Sequence, residues 1–171
     1  MSSPETILQP CARAKQKIYM SNNYIEKNLE TPFGAAVGII IVAHTDYAAA
    51  LLRTTEFILG PLVDCTSISV DAAFDVSETV QRLNDAAQIL DKGAGVLILT
   101  DMFGGTPTNL SLALLTTHKV EVVTGVNLPM IIKAFSARAL PLQELAELVG
   151  EAGKQGIVVA GEMLENKTPK E

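Results

Sequence analysis

The chain has 171 residues, 48% of them hydrophobic, and a formal net charge of -6, enough to bury one sizeable core and most naturally a single domain. The acidic balance, with no basic stripe, argues against nucleic-acid binding, and no apolar run reaches the roughly 18 residues of a membrane helix. Cys11 and Cys65 lack metal-site or redox-pair spacing, so no disulfide framework is expected and the chain reads as cytoplasmic.

Residues 1–33 form a mixed polar stretch without the long apolar region of a secretory signal. They read as a flexible extension, with Met20 as an alternative start. The domain is expected over residues 34–162, with the charged residues 163–171 as a frayed tail. Its first strand is expected near Val37–Ala43. Tyr47–Leu59 reads as a helix with Ala48, Leu51, Leu52, Thr55, Ile58 and Leu59 on its mostly apolar stripe, stopped by Gly60-Pro61. Val63–Val70 reads as a second strand, and Ser77 as the cap of a helix running to about Asp91. The third strand is Val96–Thr100. Thr106-Pro107 then supplies a cap and a first-turn proline for a helix reaching about Thr117. Val120–Thr124 is the fourth strand, "GVNLPMIIKAF" opens a short helix, and Leu142–Gly153 is the last helix. Gly156–Ala160 reads as a short strand at a sheet edge.

Near-continuously apolar strands that alternate with helices predict an open three-layer α/β sandwich with a mostly parallel central sheet. Right-handed crossovers bring the loops after parallel strands to one edge, where ligands bind near the switch point. His44, Asp101 and Gly125 all follow strands and so share that edge.

His44 is the main candidate for chemistry. A neutral imidazole can act as nucleophile, base or ligand near neutral pH, and a nucleophilic nitrogen needs its other ring nitrogen held, best by a carboxylate. Asp101 can do this from a second strand end, and Asp46 is the local competitor; a plain loop or helix-cap role for His44 is the alternative. "DMFGGTPTN" reads as an anion cradle in which Gly104 and Gly105 allow close backbone approach and the Thr106 hydroxyl faces phosphoryl oxygens. A tight turn with a capping threonine explains it equally well. It is not a P-loop, and Gly93 and Gly95 precede their strand, so they make no dinucleotide fingerprint. His118 falls at the opposite edge as a turn residue, so no metal site is expected. In "GVNLPM", Asn127 is read as supporting a structural loop. Met102, Phe103 and Met130 are candidates for an apolar patch that docks a partner.

At this point the chain resembles the mannose-type IIA component (mannose, fructose and sorbose members) of the bacterial phosphoenolpyruvate-dependent sugar phosphotransferase system. The resemblance runs from Val37 to Ala160 and rests on "VAHTDYAAALLRTTEFILG", "GVLILTDMFGGTPTNLSLAL", "VEVVTGVNLPMIIKA" and "EAGKQGI" in that order. It implies that His44 is transiently phosphorylated on Nε2 by the phosphocarrier HPr, that Asp101 orients it, and that Thr106 lies near the phosphoryl group. It also implies transfer to a separate IIB component for sugar uptake, a homodimer that exchanges the antiparallel Gly156–Ala160 strand, no cofactor and no membrane insertion. The resemblance leaves two other roles open: a regulatory phosphoprotein sensing carbon or nitrogen state, and a phosphate donor to a dihydroxyacetone kinase. One departure stands at the site, where Thr45 replaces the family's usual glycine after the histidine.

Overall fold

The computed structural model describes residues 19–20, 23–24, 35–71 and 75–161. Most of the expected extension over residues 1–33, and all of the tail over 163–171, therefore lie outside the described residues. Within the extension, β1 (Tyr19–Met20) pairs antiparallel with β2 (Asn23–Tyr24).

The domain runs β3 (Gly38–His44), α1 (Tyr47–Leu59), β4 (Cys65–Val70), α2 (Val76–Leu90), β5 (Val96–Thr100), α3 (Thr106–Leu112), β6 (Val120–Thr124), α4 (Leu128–Ala137) and α5 (Leu142–Gln155), with a 3-10 turn over Ala113–Thr116. The sheet has 4 strands in the order β4-β3-β5-β6, all pairs parallel. The unbroken apolar runs of β3 and β5 follow from burial on both faces. Ile39, Ile41, Leu97 and Leu99 pack with α1, α4 and α5, whereas Ile40, Val42, Val96 and Ile98 pack with α2 and the end of α3. Each such side chain contributes about 1.5–3 kcal/mol on leaving water. Strand period 2 divides them between the two helical layers.

Two caps differ from expectation. Asp75, not Ser77, caps α2: its extended backbone (φ -65, ψ 128) stops the helix and its side chain accepts the Ser77 N–H. A carboxylate there also faces the positive end of the helix. Gly105, not Thr106, precedes α3, because its carbonyl already accepts the Asn109 N–H at 3.0 Å. Thr106 is thus the first helical residue.

Gly156–Ala160 is the larger difference. In the single chain no sheet pairing reaches it, and Ile157, Val158 and Val159 are 78%, 53% and 63% exposed. The edge strands β4 and β6 each keep one open side, and the segment pairs with neither.

Candidate active site

Chain order sets the site. From β3 the chain passes through α1 to β4 on one side, then crosses through α2 to β5 on the other side of β3. The switch point is thus the crevice between the carboxyl ends of β3 and β5. His44 ends β3, and Thr100 ends β5 opposite Val42. One further step along that register puts Asp101 beside the last turn of backbone before the histidine.

The pair is formed. Asp101 Oδ2 lies 2.7 Å from His44 Nδ1 and accepts the His44 backbone N–H at 2.8 Å. Its Oδ1 accepts the Met102 N–H at 2.8 Å. Burial of Asp101 works against its charge, but the bonds from His44 N–H, His44 Nδ1 and Met102 N–H outweigh it and hold the carboxyl below its ordinary 3.8. An ionised carboxylate only accepts, so Nδ1 carries the hydrogen, and in the neutral imidazole Nε2 then keeps its lone pair. The His44 side chain is 46% exposed against 15% for Asp101. The carboxylate is held in the fold while the ring reaches solvent. Asp46 precedes α1 without a side-chain capping bond, and the histidine's partner is Asp101.

The loop after Asp101 closes on the ring. A Cβ on Gly105 would stand 3.2 Å from His44 Cε1 and 3.2 Å from Met102 Cγ, so a side chain here would displace the imidazole. Gly104 has φ +79, a left-handed conformation that glycine takes without a Cβ clash. The amides of Phe103, Gly104, Gly105 and Thr106, and the Thr106 hydroxyl, make no hydrogen bond to any described residue. Four backbone donors and one hydroxyl are therefore unpaired among the described residues, in the loop that closes on the His44 ring. Thr45 is held in a left-handed conformation (φ 54), its N–H donating to Val70 O at 3.3 Å.

The other candidates separate. Phe103 and Met102 are 77% and 57% exposed at this edge, as a docking rim requires. Met130 does not join them: it is 2% exposed and packs against Gly153, so its expected docking role is corrected to a core one. The cause is its place on the inward face of α4, opposite α5. Asn127 caps α4 by accepting the Met130 N–H and donates to Gly153 O at 3.2 Å, a structural role. His118 lies at the far edge with Nε2 3.0 Å from Asn84 Oδ1. An open cavity of about 560 Å³ lies at that far edge too, lined by His118, Lys119 and Leu142 and apart from His44. Among the described residues no cluster of His, Cys, Asp or Glu fits a metal ion, and no helix is long and apolar enough to cross a membrane.

A buried polar pair escaped the sequence reading. Thr100 and Thr108 are 0% and 1% exposed, with hydroxyls 2.7 Å apart, and Thr108 Oγ1 also donates to Met102 O at 2.6 Å. The signal was present: Thr100 is the polar residue of an otherwise aliphatic strand.

The sequence profile of the family described as "PTS system fructose IIA component" (EIIA-man) matches residues 38–151. The chain is 31% identical over 124 residues to the mannose-specific EIIAB component of Escherichia coli K12, covering 71% of this chain and 38% of that protein. It thus spans well under half the length of that relative. It is 35% identical over 112 residues to the sorbose-specific EIIA component of Lacticaseibacillus casei, covering 63% of this chain and 78% of that one. The crystal structure of an EIIA component from Streptococcus agalactiae superposes with a TM-score of 0.68 at 29% identity, over 74% of this chain and 98% of that one. The profile match spans the strand that ends in His44 and the loop that follows Asp101, and the chain belongs to the mannose-type family of phosphotransferase-system IIA components.

Proposed function

We propose that the chain is a phosphoryl relay in which His44 Nε2 accepts phosphate from phospho-HPr and passes it to a IIB component for sugar uptake. The observation that carries this reading is the bond between His44 Nδ1 and Asp101 Oδ2, which leaves Nε2 with its lone pair at an open edge. In the forward step the Nε2 lone pair forms the N–P bond. The bond from phosphorus to its leaving atom on the carrier breaks, and that electron pair stays with the carrier. The ring gains positive character while its proton remains on Nδ1, and the Asp101 carboxylate offsets that charge. Amides of Gly104, Gly105 and Thr106, with the Thr106 hydroxyl, meet the phosphoryl oxygens. Preorganised donors of this kind are each worth about 100-fold or more in rate. The second transfer reverses these roles.

The exposed Phe103 serves as an apolar contact for both partners, which must approach the same nitrogen. Residues 34–162 are the working unit, acting in the cytoplasm where a phosphocarrier operates. Ile157–Val159, exposed and β-branched, suit a strand that pairs with a second copy of the chain, making a homodimer. Size-exclusion chromatography with light scattering reads that directly, a monomer removing the exchange.

The test of the relay is labelling from radioactive phosphoenolpyruvate through enzyme I and HPr, followed by addition of a IIB protein. Acid-labile label is expected on the wild type, discharged by IIB, and absent from His44→Gln. Labelling of His44→Gln at the wild-type rate would refute the assignment.

A further inference from the structure

The buried hydroxyls beside the site have a direction. Met102 O can only accept, so Thr108 Oγ1 spends its one proton there, at 2.6 Å. Thr100 Oγ1, 2.7 Å from Thr108 Oγ1, must then donate to it. The chain of bonds runs Thr100 to Thr108 to the Met102 carbonyl. Thr108 is 1% exposed, so it draws that carbonyl toward the interior. The described chain has no cis peptide, and in a trans peptide the C=O and the N–H point opposite ways. The Phe103 N–H is thereby turned outward, away from the buried hydroxyls, and it makes no hydrogen bond to any described residue. The same loop is tied at its start by Asp101 Oδ1 to the Met102 N–H. Both ends of the Met102 residue are held, one by the carboxylate that orients His44 and one by Thr108.

We propose that Thr108 is a positioning residue for phosphoryl transfer, and that its hydroxyl fixes the Met102–Phe103 peptide so that the Phe103 N–H is presented as a further donor to the phosphoryl oxygens. This rests on the relay function proposed above. The Thr108 side chain touches no reacting atom. It acts through the peptide, and without it the carbonyl loses its buried partner and the peptide plane is free to rotate.

Three variants separate this from a simple packing role: Thr108→Val, Thr108→Ser and Thr100→Val. Thr108→Val deletes the hydroxyl at nearly constant shape and releases Met102 O. Thr108→Ser keeps it. Thr100→Val deletes an equally buried hydroxyl but leaves Thr108 bonded to Met102 O. Rapid-quench labelling from phospho-HPr gives kcat and KM for each, with thermal melting measured alongside. Thr108→Val is expected to lose about tenfold in kcat with KM within about threefold, as a misaligned donor would cause. Thr108→Ser is expected to restore most of that loss, and Thr100→Val to stay within about threefold of wild type in kcat. Equal kcat losses in Thr108→Val and Thr100→Val, or losses that follow melting temperature across the three, would overturn the proposal. So would a wild-type kcat in Thr108→Val. If Thr108→Val does not fold, a Thr108→Ser kcat as low as tenfold below a normal Thr100→Val would overturn it equally. A wild type that accepts no phosphate fails the relay reading itself and this inference with it, whereas a phosphorylated wild type with an unaffected Thr108→Val fails this inference alone.

Discussion

Replacing Asp101 by asparagine keeps the size of the side chain and removes its charge. The carboxylate accepts three hydrogen bonds, two on Oδ2 from His44 and one on Oδ1 from Met102 N–H. An amide has one acceptor oxygen, so one side of this arrangement fails. If the oxygen faces His44, the NH2 group meets the Met102 N–H, donor against donor. If it faces Met102, the NH2 group meets His44 and forces the ring to carry its proton on Nε2, which removes the nucleophile. In the first orientation the loss is electrostatic. A unit charge pair about 4 Å apart is worth about 1 kcal/mol in bulk water and about 4 kcal/mol near a protein surface. His44 is 46% exposed, so screening brings the figure to roughly 2 kcal/mol, or about 30-fold in the rate of phosphate acceptance. In the second orientation the wrong tautomer costs far more, about 10⁴ in a serine protease triad. The expectation is therefore a loss of at least about 30-fold in kcat by rapid-quench labelling from phospho-HPr. A variant within about threefold of wild type would refute the orienting and charge-offsetting role of Asp101.

Gly105→Ala puts a Cβ 3.2 Å from His44 Cε1, and the ring must yield by a few tenths of an ångström; the same labelling assay is expected to read a loss of about tenfold, and an unchanged rate would mean that the ring position is not critical. Thr45→Gly removes a left-handed threonine at φ 54, relieving about 1–2 kcal/mol of backbone strain against roughly 0.5–1 of added chain entropy. Urea unfolding is expected to show a gain of about 0.5–1 kcal/mol, and destabilisation would mean that the Thr45 side chain makes a compensating contact. The carboxyl of Asp101 lies below its ordinary 3.8 in the folded chain, so between that folded value and 3.8 the unfolded chain binds more protons. Its contribution is fully present above 3.8 and is lost as pH falls through the folded value. Unfolding across that acid range is expected to show a steeper fall for wild type than for Asp101→Asn, and superimposable slopes would contradict the bonds from His44 and Met102.

The strands and the site pair were legible because their causes are local. Val96–Thr100 and Val120–Thr124 are bounded by turn glycines and polar residues; the first run is apolar because both its faces are covered, whereas the second, at the sheet edge, carries Glu121 and is mostly half-buried. The pairing of His44 with Asp101 followed from two strands ending at one edge. The caps were misplaced by one or two residues because a capping side chain and an extended backbone compete over neighbouring positions, as Asp75 and Ser77 show. Met130 was misread because exposure depends on which face of α4 meets α5, and a ten-residue helix rich in apolar residues leaves that face undecided. Thr100 stood out as the polar residue of an aliphatic strand, but its link through Thr108 to Met102 O was not legible, since it needs the depth of α3 against β5 and the direction of one carbonyl. Gly156–Ala160 is strand-like in composition but pairs with neither open edge of the sheet, because β-branched composition marks a strand without fixing what it pairs with.

The central claim is that a phosphoryl group resides on Nε2 of His44 while Nδ1 remains bound to Asp101. Nitrogen-15 and phosphorus-31 NMR of the protein phosphorylated through phosphoenolpyruvate, enzyme I and HPr reads it directly. One phosphorus coupled to Nε2 of His44, with the proton retained on Nδ1, is the expected result. Phosphorus on Nδ1, on His118 or on no histidine would contradict it.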